Sequence, residues 1–154
     1  MNAAMNPAMN EVARALADYT TVNLAYVDEH GWPQACAVFY APTDDGSLVF
    51  VSARTTRHGR ALTADGRVAF TAQAEGQHWA TITGVQGRGA ATLLAGAARV
   101  AAFTTYTERF PFVADDQRLR AALAGADLWE LRPTWLRLID NAQGFGHKQE
   151  WTAE

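Results

Sequence analysis

Hydrophobic positions follow a helical spacing near the start of the chain and alternate with polar positions further on. Val12, Leu16 and Tyr19 recur every three or four residues, which predicts a short amphipathic helix over residues 11–19. From Thr20 the period falls toward two in TVNLAYVD, PQACAVFYA and SLVFVSA, and the segments EHGW and TDDG between them contain residues typical of tight turns. We therefore predict three consecutive strands joined as hairpins.

The rest of the chain alternates between helical and strand patterns. The segment TTRHGRALTAD predicts a helix with Thr55 or Thr56 as its N-cap and Gly66 just past its end. RVAFTAQ and HWATITGVQGRGAATLL predict two strands, the second bent at its glycines. Residues 95–124 predict two helices with a break at Pro111, and LWELRPTWLRLID returns to a strand pattern.

These elements amount to about six strands, mostly antiparallel neighbours, with short helices between them. A small barrel is the architecture that hides the edges of such a sheet. We therefore expect a mainly β (β+α) fold, a six-stranded antiparallel barrel with short peripheral helices, as one domain over residues 1–154. Within it, we expect residues 1–10 to be disordered and residues 141–154 to form a C-terminal tail.

Composition and charge narrow the functional classes. The 154 residues are 49% hydrophobic and carry a net charge of −3, so the chain offers no overall positive field for nucleic acid or an anionic membrane. No apolar run approaches the roughly 20 residues that cross a bilayer, and MNAAMNPAMN lacks the features of a signal peptide, so we expect a cytoplasmic protein. With one cysteine, Cys36, and no His/Cys cluster at zinc spacing, neither an internal disulfide nor a metal site is expected.

The segment RTTRHGR, residues 54–60, is the richest in candidate chemistry. No acidic residue occurs from Gly46 to Ala64, and the cations stand at a predicted helix start, where the helix dipole already places partial positive charge. A bound phosphate would resolve this conflict, held by backbone N–H groups, the Thr55 and Thr56 hydroxyls and the Arg57 guanidinium. The alternative is a solvated basic turn.

Two further segments carry weaker signals. GVQGRG, residues 84–89, lacks the dinucleotide-binding spacing, so its glycines either bend the strand or let a flat ring approach, with Gln86 available for hydrogen bonds. GFGHKQEW, residues 144–151, is either a frayed terminus or a segment that closes over a ligand. Exposing the Phe145 and Trp151 side chains to water is energetically costly, so we expect both to pack, either within the chain or against another subunit.

The order of elements and these residues together resemble the FMN-binding split-barrel superfamily, whose namesake is pyridoxamine 5′-phosphate oxidase. The resemblance spans roughly residues 12–151 and rests on PQACAVFYAPTDDGSLVFVSA, followed by the triplet TRH and Leu62 at a helix start. It implies a split barrel that binds FMN. The residues that it assigns to the FMN phosphate are Ser52, Thr56, Arg57 and His58, with Arg60 close by and His58 in place of the usual lysine.

The resemblance also implies where the flavin ring lies and how the protein assembles. The residues assigned to the isoalloxazine ring are Cys36, Ala37, Val38 and Phe39, with Gln86 nearby. In this fold the flavin lies at a two-fold interface, so a homodimer is implied, with the C-terminal tail near the flavin. The ending DNAQGFGHK looks like that of a short bacterial branch of uncharacterised members, and the namesake's basic C-terminal substrate motif is missing, so pyridoxal phosphate synthesis is not expected.

These features favour an FMN-dependent oxidoreductase acting on a small, flat molecule through hydride transfer at the flavin. By residue type and position, His147 is a candidate proton donor and Lys148 a candidate charge anchor. The candidate substrate-pocket residues are Tyr40, Trp79, Phe145 and Trp151. Three alternatives remain open: a flavin-binding or sensing module without turnover, and a split barrel that holds either deazaflavin F420 or haem instead of FMN.

Overall fold

The structure is a computed structural model that describes residues 7–153. Its strands are β1 (Thr21–Val27), β2 (Pro33–Pro42), β3 (Leu48–Val51), β4 (Arg67–Ala72), β5 (Thr83–Leu93), β6 (Leu128–Asp140) and β7 (Lys148–Thr152). Its helices are α1 (Pro7–Asp18), α2 (Arg57–Ala64), α3 (Gly96–Arg109), α4 (Pro111–Asp115) and α5 (Gln117–Ala124), and Trp79–Thr81 and Asn141–Gln143 form single 3-10 turns. None of the described helices is long and apolar enough to cross a membrane.

The strands form one antiparallel sheet that closes on itself. Their order is β3-β2-β1-β4-β5-β6-β7, and β3 also pairs with the first part of β6, so that β1 to β6 make a barrel. The second part of β6, from Trp135 to Ile139, pairs instead with β7. The expected six-stranded antiparallel barrel with short helices is confirmed, and β7 is an additional strand built from residues that we expected to form a tail.

A bulge in β6 allows this strand to serve two partners. Arg88 of β5 pairs with Trp135 and Gly89 pairs with Pro133, so Thr134 is an extra residue in β6. A Cβ on Gly89 would lie 2.1 Å from the Arg132 carbonyl oxygen, so the two backbones meet at a distance that only glycine permits. The bulge bends β6 from β3 toward β7.

Alternate side chains of the strands fill the barrel, and α1 closes one end. The largest fully buried side chains include those of Trp129, Tyr40, Phe50, Phe70, Leu16 and Leu24. The α1 helix begins at Pro7 and its Met9 is buried, so residues 7–10 are helical rather than disordered as expected. Residues 1–6 lie outside the described part of the chain.

The excursion between β5 and β6 contains three helices where the sequence pattern suggested two. Pro111 begins α4 as expected, and Asp116 then caps α5 by accepting hydrogen bonds from the N–H groups of Arg118 and Leu119. These helices form a second, smaller core against β2, β3 and β6 that includes Tyr106, Phe110, Leu123, Val49 and Leu128. At the other end of β5, the strand begins at Thr83, and the preceding residues, predicted as strand, form the turn over Trp79–Thr81.

Candidate functional site

The start of α2 has the capping geometry predicted from the sequence. Thr56 is the N-cap, and its Oγ1 accepts a hydrogen bond from the Gly59 N–H at 3.0 Å and donates to the Ala53 carbonyl at 2.8 Å. The backbone N–H groups of Arg57 and His58 make no hydrogen bond within residues 7–153. The helix therefore presents two free N–H donors, whereas the Thr56 hydroxyl is already used by the cap.

Ser52 lies where β3 ends and brings the predicted phosphate residues together. Its Oγ contacts Nε2 of His58 and lies 3.4 Å from Thr56 Oγ1, and the residue is only 8% exposed. The Ser52 backbone is fixed at both ends, because its N–H donates to the Asp127 carbonyl and its carbonyl accepts from Trp129 Nε1 at 2.8 Å. Ser52, Thr56 and His58 therefore form one cluster at the start of α2.

The three arginines of residues 54–60 differ in their hydrogen-bond and ion-pair partners. Arg54 forms an ion pair with Asp127 at 2.8 Å, and this hydrogen bond lowers the pKa of the Asp127 carboxyl below its usual value. Arg60 donates to the Thr55 carbonyl at 2.7 Å. The Arg57 side chain is exposed and makes neither a hydrogen bond nor an ion pair with any described residue. Arg57 is therefore the cation available to a ligand.

Arg57 and Arg60 line a cleft of about 490 Å³ between α2 and the turn that joins β1 to β2. Of the carboxylates in this cleft, Asp28 accepts hydrogen bonds from its own turn, and these bonds, with that of the Trp32 N–H first, lower its pKa. Asp65 is paired with Arg67 at 2.6 Å. Glu29, the third carboxylate of the cleft, lies 3.7 Å from His30 Nε2. None of the three carboxylates pairs with Arg57 in the described chain.

Burial changes the acid–base chemistry of the residues behind this cleft. The Tyr26 ring lies 6.3 Å from the His58 ring, and burial raises the pKa of Tyr26 while it lowers the pKa of His58. Burial also raises the pKa of the half-buried Cys36 thiol on β2. These directions favour the uncharged forms of Tyr26, His58 and Cys36 near neutral pH.

One edge of β2 is free next to this cluster. β3 pairs with β2 only at residues 40–42, so within the described chain no strand pairs with Pro33–Phe39 on the side away from β1. Alternate peptide groups of an antiparallel strand point to opposite edges, and the Tyr40 N–H points to the β1 side. The peptide groups of Ala35 and Ala37 therefore point to the free side, where a planar ligand could hydrogen-bond with them.

Two strands lie between Gln86 of β5 and the free edge of β2. Ala37, Asn23, Thr71 and Gln86 form a row across β2, β1, β4 and β5. The next row consists of Ala35, Ala25, Ala69 and Arg88. Three strand spacings, roughly 14 Å, lie between Ala37 and Gln86. One chain therefore does not bring Gln86 to the free edge of β2.

Two of the expected substrate-pocket residues face the core. Tyr40 is completely buried, and its hydroxyl donates to the Leu16 carbonyl at 2.5 Å, so the expectation that it lines a substrate pocket is wrong. Desolvation raises the pKa of this hydroxyl. Trp151 belongs to β7, pairs with Leu136 and packs partly buried against the main core. Trp151 therefore packs as expected, but on its own barrel and without facing the cluster at α2.

Trp79 and Phe145 form an exposed aromatic pair. Their side chains are 70% and 82% exposed, and their rings meet edge to face at 5.8 Å. Asn141 ties the two loops together, because its Nδ2 donates to the Trp79 carbonyl at 3.2 Å and its Oδ1 accepts from the Gly146 N–H at 2.9 Å. Asn141 therefore holds the two loops in position, although both aromatic rings are exposed to solvent.

This aromatic pair and the cluster at α2 lie at opposite ends of the barrel. The pair stands beside the first residues of β5 and the last of β6, where β1 begins, whereas the Arg57 cleft lies where β1 ends. The candidate catalytic residues lie at the same end of the barrel as the aromatic pair. His147 Nε2 lies 3.4 Å from Gln149 Nε2, and Lys148 of β7 pairs with Ile139 of β6. A single chain therefore does not bring His147 and Lys148 to Arg57.

Comparisons with known proteins identify the family of this chain. The family model described as pyridoxamine 5′-phosphate oxidase matches residues 8–140. A UPF0306 protein from Yersinia pestis is 32% identical over 122 residues, which covers 79% of this chain and 76% of that protein. The chain belongs to the pyridoxamine 5′-phosphate oxidase family, as the resemblance in its sequence indicated.

Solved structures with low sequence identity share the fold. A haem binding protein from Mycobacterium smegmatis has a TM-score of 0.76 at 21% identity, over 97% of this chain and 59% of that one. This chain therefore spans about three fifths of that protein's length. A FAD-binding protein from Mesorhizobium loti has a TM-score of 0.66 at 16% identity, over 84% of this chain and 91% of that one. Both likenesses concern the fold alone.

Proposed function

We propose that this protein binds FMN, with the phosphate at the start of α2, and acts as a flavin-dependent oxidoreductase on a small molecule. The observation that carries the proposal is Arg57, an exposed guanidinium with no partner in the described chain, on the first residue of a helix with two free N–H groups. A guanidinium and unpaired N–H donors at a helix start suit the oxygens of a phosphate group. The donor set therefore fits the FMN phosphate.

The free edge of β2 supports the second half of the proposal. The peptide groups of Ala35 and Ala37 would hydrogen-bond with the polar edge of a flavin ring, while their small side chains leave room on the outer face. Phe39, at the far end of this free edge, is 54% exposed and meets Phe110 edge to face at 5.7 Å, which gives that end of the edge an apolar boundary. Bound FMN would supply hydride transfer, and these residues would bind and orient it.

A homodimer belongs to the same proposal. Gln86, His147 and Lys148 are far from Arg57 within one chain, so they could serve the same flavin only from a second copy. The alanine-rich outer face would allow two sheets to approach closely. We propose that each flavin lies between two copies, with the Trp79–Phe145 pair of one copy near the flavin of the other.

The first experiment is the visible spectrum of the freshly purified protein, followed by identification of any chromophore that heating releases. We expect a yellow protein that releases FMN. A haem Soret band would favour the haem alternative instead, and selective binding of deazaflavin would favour F420. A colourless protein that also binds no added FMN would contradict the proposal.

Substitution of Arg57 tests the phosphate site. The Arg57→Ala variant should bind FMN more weakly by about 1.5–3 kcal/mol, roughly 10- to 150-fold, because it removes a charged pair of hydrogen bonds. Riboflavin, which lacks the phosphate, should bind equally to both proteins. The control is Arg120→Ala, which removes an exposed arginine from α5, and it should leave FMN affinity unchanged. Wild-type FMN affinity in Arg57→Ala would rule out this phosphate site.

Reduction by nicotinamide cofactors distinguishes the enzyme from a flavin-binding module. With FMN bound and oxygen excluded, NADH or NADPH should bleach the flavin absorbance of an oxidoreductase that uses them. A protein that retains FMN but is bleached by neither favours the module without turnover.

A further inference from the structure

Of the three hydroxyls at the start of α2, those of Ser52 and Thr56 have hydrogen-bond partners, whereas the exposed Thr55 hydroxyl has none in the described chain. The Thr56 hydroxyl donates to the Ala53 carbonyl, so it has no hydrogen left for a phosphate. The Ser52 Oγ is in contact with His58 Nε2, and Thr56 Oγ1, at 3.4 Å, is its other polar neighbour in the cluster. When His58 is neutral with its proton on Nδ1, Ser52 donates its only hydroxyl hydrogen to Nε2.

The surroundings of His58 keep it neutral in the absence of a ligand. The titratable and charged groups around it are Arg57 on α2, Tyr26 and Asp28 at the end of β1, and Cys36 on β2. Asp28 is engaged by its own turn, so no carboxylate pairs with His58 within residues 7–153. Burial lowers the pKa of His58 below its usual value of 6.5.

We propose that His58 takes up a proton when the FMN phosphate binds, and that this proton releases the Ser52 hydroxyl to the phosphate. The proton comes from solvent and adds to Nε2, which then donates to Ser52 Oγ. The Ser52 O–H, no longer needed by His58, turns to a phosphate oxygen. His58 is thus a positioning residue that makes FMN binding depend on pH, and this inference rests on the proposed function.

The sign of the pH dependence follows from the two states of His58. The bound phosphate raises the pKa of His58 above its value in the free protein. His58 therefore increasingly favours FMN binding as the pH falls from the pKa of His58 in the complex to its pKa in the free protein. The second ionisation of a phosphate monoester, with a pKa of about 6, acts in the opposite direction because the dianion binds better. A variant without a titrating residue at position 58 is therefore needed to separate the two effects.

The test is calorimetric titration of the full-length protein with FMN at pH 7, in buffers of different ionisation enthalpy. The wild type should take up about half a proton or more relative to His58→Gln, which keeps a hydrogen-bonding side chain but does not titrate. His58→Lys keeps a permanent cation beside Ser52. Between pH 6 and pH 8, the wild-type Kd should weaken about ten-fold relative to that of His58→Lys.

Each outcome decides the inference. Equal proton uptake by the wild type and His58→Gln, with FMN bound to both, would overturn the role of His58 and leave the proposed function intact. Failure of FMN to bind the folded wild type at any pH would overturn the proposed function as well. If His58→Gln does not fold, the His58→Lys comparison and the pH-dependent NMR shift of the His58 ring with and without FMN provide the same decision.

Discussion

At the scale of single residues, neighbours in sequence have separate tasks because their partners come from distant parts of the chain. Arg54 is neutralised by Asp127, 73 residues away, whereas Arg57 faces the cleft without a partner among residues 7–153. The sequence rule for N-caps narrowed the cap to Thr55 or Thr56, since capping depends on residues three positions apart, and the structure selects Thr56. No local rule identifies the Asp127 partner of Arg54, because only the meeting of β3 and β6 brings the two together.

The hydrogen bond of the Tyr40 hydroxyl gives a testable prediction at the same scale. The Leu16 carbonyl belongs to the last turn of α1 and has no intrahelical partner, so the Tyr40 hydroxyl satisfies it. Tyr40→Phe should lower the free energy of unfolding by about 1–3 kcal/mol in urea titrations and leave FMN affinity unchanged. The matched control is Tyr106→Phe, because the Tyr106 ring is buried but its hydroxyl makes no hydrogen bond in the described chain and reaches solvent. Equal losses in both variants would contradict this role for Tyr40.

At the scale of elements, β6 determines how the barrel closes. Its first half pairs with β3 and its second half with β7, and the bulge at Thr134 separates the two halves. The free edge of β2 exists because β3 is short and pairs with β2 only at residues 40–42. The free edge of β2 is therefore a consequence of the short β3, and the change of partners along β6 is a consequence of one bulge.

Gly89 tests this account of the closure. Gly89→Ala should destabilise the protein by about 3 kcal/mol or more, because the added methyl group has no room beside the Arg132 carbonyl. Gly84→Ala, in the same strand, is the control, since its nearest atoms would lie 3.5 Å away, and it should be nearly neutral. The measurement is the urea midpoint of each variant. A stable Gly89→Ala protein would show that the two strands can separate there.

Sequence patterns identified the strands of the barrel and α2 because alternation, turn residues and caps are local. They missed β7, since KQEWT has one large apolar residue and gains its order from pairing with β6, where Glu150 forms an ion pair with Arg137 at 2.6 Å. They also placed Tyr40 at a ligand, although its face of β2 points into the core. Strand pairing and facing depend on the closed sheet, which local periodicity does not contain.

At the scale of the whole molecule, the candidate residues divide between two ends of one barrel. Arg57 and the first residues of the free edge of β2 lie at one end, and His147, Lys148 and the Trp79–Phe145 pair at the other. The outer face between them is lined by exposed small side chains. A two-fold dimer through this face would set one end of each copy against the other end of its partner. The proposed flavin site is therefore formed by two copies of the chain rather than by one.

Substitution on the outer face tests this arrangement. Ala69 is exposed on the outer face between Ala25 and Arg88, so Ala69→Arg should prevent close approach of two copies, shift sedimentation toward the monomer and weaken FMN binding by at least ten-fold. Ala122→Arg places the same charge on exposed α5 and should leave both the dimer and FMN binding unchanged. A wild-type monomer that binds FMN with undiminished affinity would contradict the shared site. A dimer that persists in Ala69→Arg would instead place the interface on another face, and Gln86 would then have no route to the flavin.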